Sequence, residues 1–166
     1  MGRLHGKYTL LSVSVCSLLL AFTLAACGSS NLGTGGSSSP PPPTVVKGYG
    51  TTHGCPSDSV VSATTTPNVI VKPSDEKSTI TAHMGNVIEF QFPFGERWSG
   101  PTTSQGNLEL QQPAGYAVKG PSVCVWQFVA KGTGTTQLDF YSQPLCQQGQ
   151  FCPQHIVDVP FTVKVS

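Results

Sequence analysis

Charge is scarce in this chain. Of 166 residues, 9 are Lys or Arg and 8 are Asp or Glu, 10% in all. So sparse a supply leaves no basic stripe with interleaved aromatics, which excludes the electrostatic footprint of a nucleic-acid binder. Apolar runs are short as well, and none reaches the roughly 20 residues that span a bilayer. G-x-S-x-G, H-E-x-x-H and phosphate-cradling glycine loops are all missing. The carboxylates are scattered singly apart from Asp75-Glu76, which sit in the turn-like run P-S-D-E-K. Glu89, Asp139 and Asp158 fall on outward faces of predicted strands, where a charge is ordinary. His53, His83 and His155 share no metal-type spacing. Without a convergent acid, base or nucleophile, the chain reads as non-enzymatic, with no cofactor and no metal site.

The amino terminus is organised differently from the rest. Arg3 and Lys7 precede an apolar stretch from Leu10 to Phe22, broken by Ser12, Ser14 and Ser17 and followed by small residues. That is a secretory signal, expected to occupy residues 1–26. It ends in Leu24-Ala25-Ala26-Cys27-Gly28, which resembles the lipobox of bacterial lipoproteins. The resemblance implies cleavage before Cys27, lipidation of its thiol, and a protein held on the outer face of a cell membrane by acyl chains. Without Arg3 and Lys7, seven basic residues face eight acidic ones, a charge near −1. Gly28 to Pro43 is a Gly/Ser coil running into four prolines. It is too poor in apolar surface to fold and is expected to be a disordered tether, residues 27–47, that lifts a domain from the lipid.

The domain is expected over 48–166. Many short runs alternate apolar and polar residues, with Gly and Pro between them, so the fold class is all-β, an immunoglobulin-like two-sheet sandwich of about seven strands. Strands are predicted at Asn68 to Lys72, Ser78 to Ala82, Val87 to Phe92, around Leu108 and Leu110, at Tyr116 to Lys119, and from His155 to Val165. Between the last two lies the most apolar part, Val123 to Ser142. There Cys124, Trp126, Phe128 and Ala130 share one face, and Leu138 and Phe140 alternate with polar residues. With Gly132 and Gly134 between its halves, this stretch predicts a β-hairpin covered by a second sheet. Pro160 lacks an N–H, which places the last strand at an edge or around a bend.

Beyond Cys16 and Cys27, four cysteines remain: Cys55, Cys124, Cys146 and Cys152. An exported protein with an even number is expected to form two bridges, and four cysteines allow three connectivities. Cys146 and Cys152 enclose only Q-Q-G-Q-F, and closing so short a loop costs little entropy, which favours that pair. Cys55 and Cys124 then pair by elimination.

One predicted loop, Pro93 to Gln105, carries unusual side chains: Phe94, the neighbours Glu96 and Arg97, and Trp98. Trp and Arg are common interface anchors, and loops on rigid sandwiches carry recognition. The competing reading makes Trp98 a plug at one end of the sandwich. If the domain binds a partner, Phe94, Arg97, Trp98, Pro144 and Leu145 are the candidates, gathered on one rim.

The second half of the chain resembles the chagasin-type inhibitors of papain-like cysteine proteases. The likeness rests on G-N-V-I-E-F-Q-F from Gly85, W-Q-F-V-A from Trp126, G-T-T-Q-L-D-F from Gly134, Gln143-Pro144-Leu145, and F-T-V-K-V from Phe161. It implies an immunoglobulin-like sandwich and a cysteine protease as partner. Two loops depart from the family's pattern. Pro93 to Trp98 replaces N-P-T-T-G-Y, and Gln143-Pro144-Leu145 with its C-x5-C insertion replaces R-P-W. A structural or adhesive module without a protease target is the alternative.

Overall fold

The computed structural model describes residues 46–61, 65–146 and 148–166. The expected signal, the lipidated Cys27 and nearly all of the tether lie outside the described residues. Among the described residues a single turn of helix, α1 (Tyr49–His53), precedes nine strands. These are β1 (Val69–Val71), β2 (Thr79–Ala82), β3 (Val87–Pro93), β4 (Glu96–Ser99), β5 (Leu108–Leu110), β6 (Tyr116–Val118), β7 (Val123–Ala130), β8 (Gly134–Pro144) and β9 (Val157–Val165). No helix among the described residues is long and apolar enough to cross a membrane.

The strands form two sheets. One runs β1-β3-β7, with β5 and β6 both on the far side of β7; the other runs β2-β9-β8-β4. The fold is an all-β, immunoglobulin-like sandwich. Alternation along each strand sends one set of side chains inward. Phe90, Phe92, Trp126 and Phe128 come from the first sheet, Phe140 and Phe161 from the second, and none is more than 1% exposed. Phe140 is the hub, with ring centroids 4.7 Å from Phe92, 5.1 Å from Phe90 and 5.3 Å from Trp126. Edge and offset contacts of this kind add to simple burial.

The expected hairpin from Val123 to Ser142 does not form. β7 belongs to the first sheet and β8 to the second, so Lys131 to Thr133 carry the chain across the core. The reason lies in the edges of β7. β3 pairs with it from Val123 to Val129, and β5 and β6 divide its other edge, so β8 finds no edge to pair with. Gly134 takes a φ of +137°, and Gly132 stays outside the positive region.

β9 corrects a second expectation. Over Thr162–Val165 it is an inner strand, with β2 on one side and β8 on the other. From Val157 to Phe161 it pairs only with β8. Pro160 sits in that one-sided stretch, and its carbonyl accepts from the Lys77 N–H at 3.3 Å. In a strand the N and C=O of one residue point the same way, so the missing N–H faces away from β8 and no ladder bond is lost.

Candidate functional site

Three expected binding residues meet at one end of the sandwich, and the register explains why. β4 pairs with β8 so that Glu96 lies opposite Pro144, Arg97 opposite Gln143 and Trp98 opposite Ser142. The turn at Phe94 and Gly95, which leads from β3 to β4, is therefore beside the start of the β8–β9 connection. The run expected as one loop, Pro93 to Gln105, is interrupted by β4. Two adjacent charged residues followed by a single tryptophan hide the strand period.

Period 2 also decides which side chains face out. Trp98 points inward and is 4% exposed. Its ring lies 4.5 Å from that of Phe92, and its Nε1–H donates to the Pro93 carbonyl at 2.8 Å. Trp98 is thus the plug of the two readings and offers no surface for contact. Arg97, one step along, faces outward and is exposed. Phe94 is half-buried, stacked on His53 at 4.6 Å and edge-on to Tyr49 at 6.3 Å, while Lys119 lies over the Tyr49 ring. These contacts fasten α1 to the β3–β4 turn. Gly54 makes the approach feasible. It has a φ of +97°, a Cβ there would run into the Glu96 carbonyl, and its own carbonyl accepts from the Trp98 N–H at 2.8 Å.

Both disulfides join the expected pairs. Cys55–Cys124 is buried and links the segment after α1 to β7, with Cα atoms 5.2 Å apart. Cys146–Cys152 closes the β8–β9 connection, with Cα atoms 5.6 Å apart.

Between that connection and β4 runs a cleft of about 420 Å³. Pro144, Leu145, Ile156 and the Cys146–Cys152 bridge supply apolar walls, and Arg97, Gln143, Gln154 and His155 supply polar groups. Apolar side chains also crowd the rim. Phe151 is 95% exposed, Ile156 61%, Val157 45% and Leu145 37%. Phe151 and Ile156 are residues that sequence reasoning passed over. Their signal, an apolar residue inside a Gln- and Pro-rich loop, was visible but carried no period.

Elsewhere the structure holds one charge in an unexpected place. Glu89 was read as an ordinary outward carboxylate, yet it is 4% exposed. It lies opposite Gln127 in the register, and the side-chain amides of Gln91 and Gln127 supply hydrogen bonds to its oxygens. Gln91 Nε2 donates to one oxygen at 2.6 Å and Gln127 Nε2 to the other at 2.7 Å. Burial, with the Glu89 carboxylate nearby, pushes the Tyr116 phenol above the usual range. Among the described residues no group of three or more His, Cys, Asp or Glu side chains is placed to hold a metal ion.

No protein-family model and no curated protein matches the chain. Among solved structures it is similar to the cysteine protease inhibitor EhICP2 from Entamoeba histolytica, at 19% identity and a TM-score of 0.41, over 59% of this chain and 94% of that one. It is also similar to Amebosin, at 14% identity and a TM-score of 0.37, over 61% of this chain and 100% of that one. A third similar structure is PbICP-C, solved in complex with falcipain-2, at 12% identity and a TM-score of 0.38, over 64% of this chain and 98% of that one.

Proposed function

We propose that this is a non-enzymatic, membrane-tethered binding module on the extracytoplasmic face, which uses its β8–β9 end to hold a papain-like cysteine protease. The observation that carries the proposal is the rim itself. Leu145, Phe151, Ile156 and Val157 expose apolar surface on and beside one disulfide-closed connection. Clustered apolar exposure of this kind marks contact surfaces. The short clip limits the conformations the connection can adopt, and this lowers the ordering cost of binding. The sequence resemblance to chagasin-type inhibitors supplies the partner class.

Capture of an immobilised papain-like protease by the full-length protein tests the reading. Leu145→Ala is expected to weaken capture about tenfold and to leave the thermal midpoint within roughly 2 °C of wild type, since a partly exposed side chain contributes little to folding. If wild type does not bind the protease, the inhibitor reading falls. What remains is a structural or adhesive module, the alternative favoured by the withdrawal of Trp98 into the core.

The tether is tested separately. The wild-type protein is expected to partition with membranes and Cys27→Ala with the soluble fraction, because several acyl chains on one residue anchor durably. Identical partitioning of the two proteins would remove the lipid anchor from the proposal.

A further inference from the structure

The cleft beside the rim has a composition that the apolar rim does not explain. Its polar lining consists of Arg97, Gln143, Gln154 and His155, all able to donate hydrogen bonds, and includes no carboxylate. The Arg97 guanidinium is exposed and forms no ion pair within 4 Å among the described residues, where the ion pairs are Lys77–Glu76 and Lys131–Glu109. Two carboxylates share the outer face of this sheet. Asp158 lies opposite Tyr141, and Asp139 lies opposite Pro160. Neither lines the cleft, and Tyr141 stands between Asp158 and β4, where it faces Ser99.

Resting on the binding reading above, we infer that the cleft receives an acidic side chain of the partner, a Glu or Asp set between apolar residues. Three features select that ligand. The guanidinium presents a planar fork that matches a carboxylate in bidentate fashion. Gln143 lies directly opposite Arg97 on β8 and lines the same cleft, which adds an amide donor to it. Pro144, Leu145 and Ile156 form walls that suit apolar neighbours on either side of the acid. The side chain that recognises the acid comes from β4, a hydrogen-bonded strand, so it is held by the sheet rather than by the loop.

The test follows the side-chain NMR signals of Arg97, Gln143 and Gln154 in the full-length protein during titration with three peptides. The first is acetyl-Leu-Glu-Leu-amide, the second its Gln analogue, and the third the Gln analogue with a free carboxyl terminus. The acidic peptide is expected to give saturable shifts at all three residues. Its apparent affinity should be about tenfold higher than that of the Gln analogue and should fall as salt is raised from about 0.05 to about 0.5 M. Arg97→Gln should lose that tenfold preference. Arg97→Lys, which keeps the charge without the fork, should retain part of it and guards against a variant that disturbs the fold. Equal binding of acid and amide, or no saturable binding by the acidic peptide, would overturn the inference. So would binding of the free carboxyl terminus in preference to the internal acid. The protease experiment fails independently of this one. Capture without any dependence on Arg97 removes only the acid site, and acid binding without capture removes only the protease.

Discussion

Trp98→Ala is expected to lower stability by about 3–5 kcal/mol, the range for a large aromatic removed from a core, with a fall of roughly 10–20 °C in the thermal midpoint. Three losses combine. The indole is 4% exposed, so nearly its whole surface returns to water on unfolding. Its tilted ring contact with Phe92 goes, and the Pro93 carbonyl loses its 2.8 Å donor at the point where the chain passes from β3 to β4. Calorimetry or denaturant unfolding measures the effect. A fall of less than about 1 kcal/mol would show that the ring is not the plug its burial implies and would return Trp98 to the surface candidates.

The second large effect concerns the buried disulfide. Replacing both Cys55 and Cys124 by Ala is expected to cost about 4 kcal/mol, because the bridge closes a loop spanning 69 positions and restrains the unfolded chain accordingly. The Cys146–Cys152 bridge spans only 6, for which the same relation yields about 2 kcal/mol. Parallel denaturant titrations of the two double-alanine variants compare them. Equal losses would show that loop length does not govern either bridge. The small bridge matters more to binding, since its removal loosens the connection that displays Leu145 and Ile156.

How much of this was legible in the sequence depends on what kind of signal each element leaves. Phe90 and Phe92, Trp126 and Phe128, and Phe140 announced their inward face because alternation is a local property of a strand. The choice of neighbour is not local. Cys124 to Ala130 and Leu138 to Phe140 alternate equally well whether they pair with each other or face each other across a core. The inter-sheet crossing therefore looked like a hairpin. A hint was present in Val125, an apolar residue on the outward face of β7 that the structure buries, as on strands covered on both faces. α1 left no trace because five residues are too few for a helical period, and only Gly48 and Gly54 at its ends mark it. The disulfides were readable because loop closure depends on spacing alone. At the binding end, Arg97, Pro144 and Leu145 could be named, but their convergence required the β4–β8 register. That register pairs residues more than forty positions apart and leaves no mark in either segment.

The place of β9 has a consequence for the order in which the chain can assemble. It is last in sequence among the nine strands, yet it lies inside its sheet, with β2 on one side and β8 on the other. β2 pairs with no other strand, and its partners in β9 are 83 positions further on. A chain emerging amino end first therefore exposes β2 unpaired until β9 has been made. Of the second sheet, only the β4–β8 pair can form before Val157. Pairings of such long sequence separation are slow to form, and an unpaired strand is a site of aggregation while it waits. Thr79 and Thr81, the exposed polar residues of β2, make its outward face a poor template for the wrong neighbour. The same topology keeps the second sheet from closing prematurely, so it locks only when the final strand slides into place.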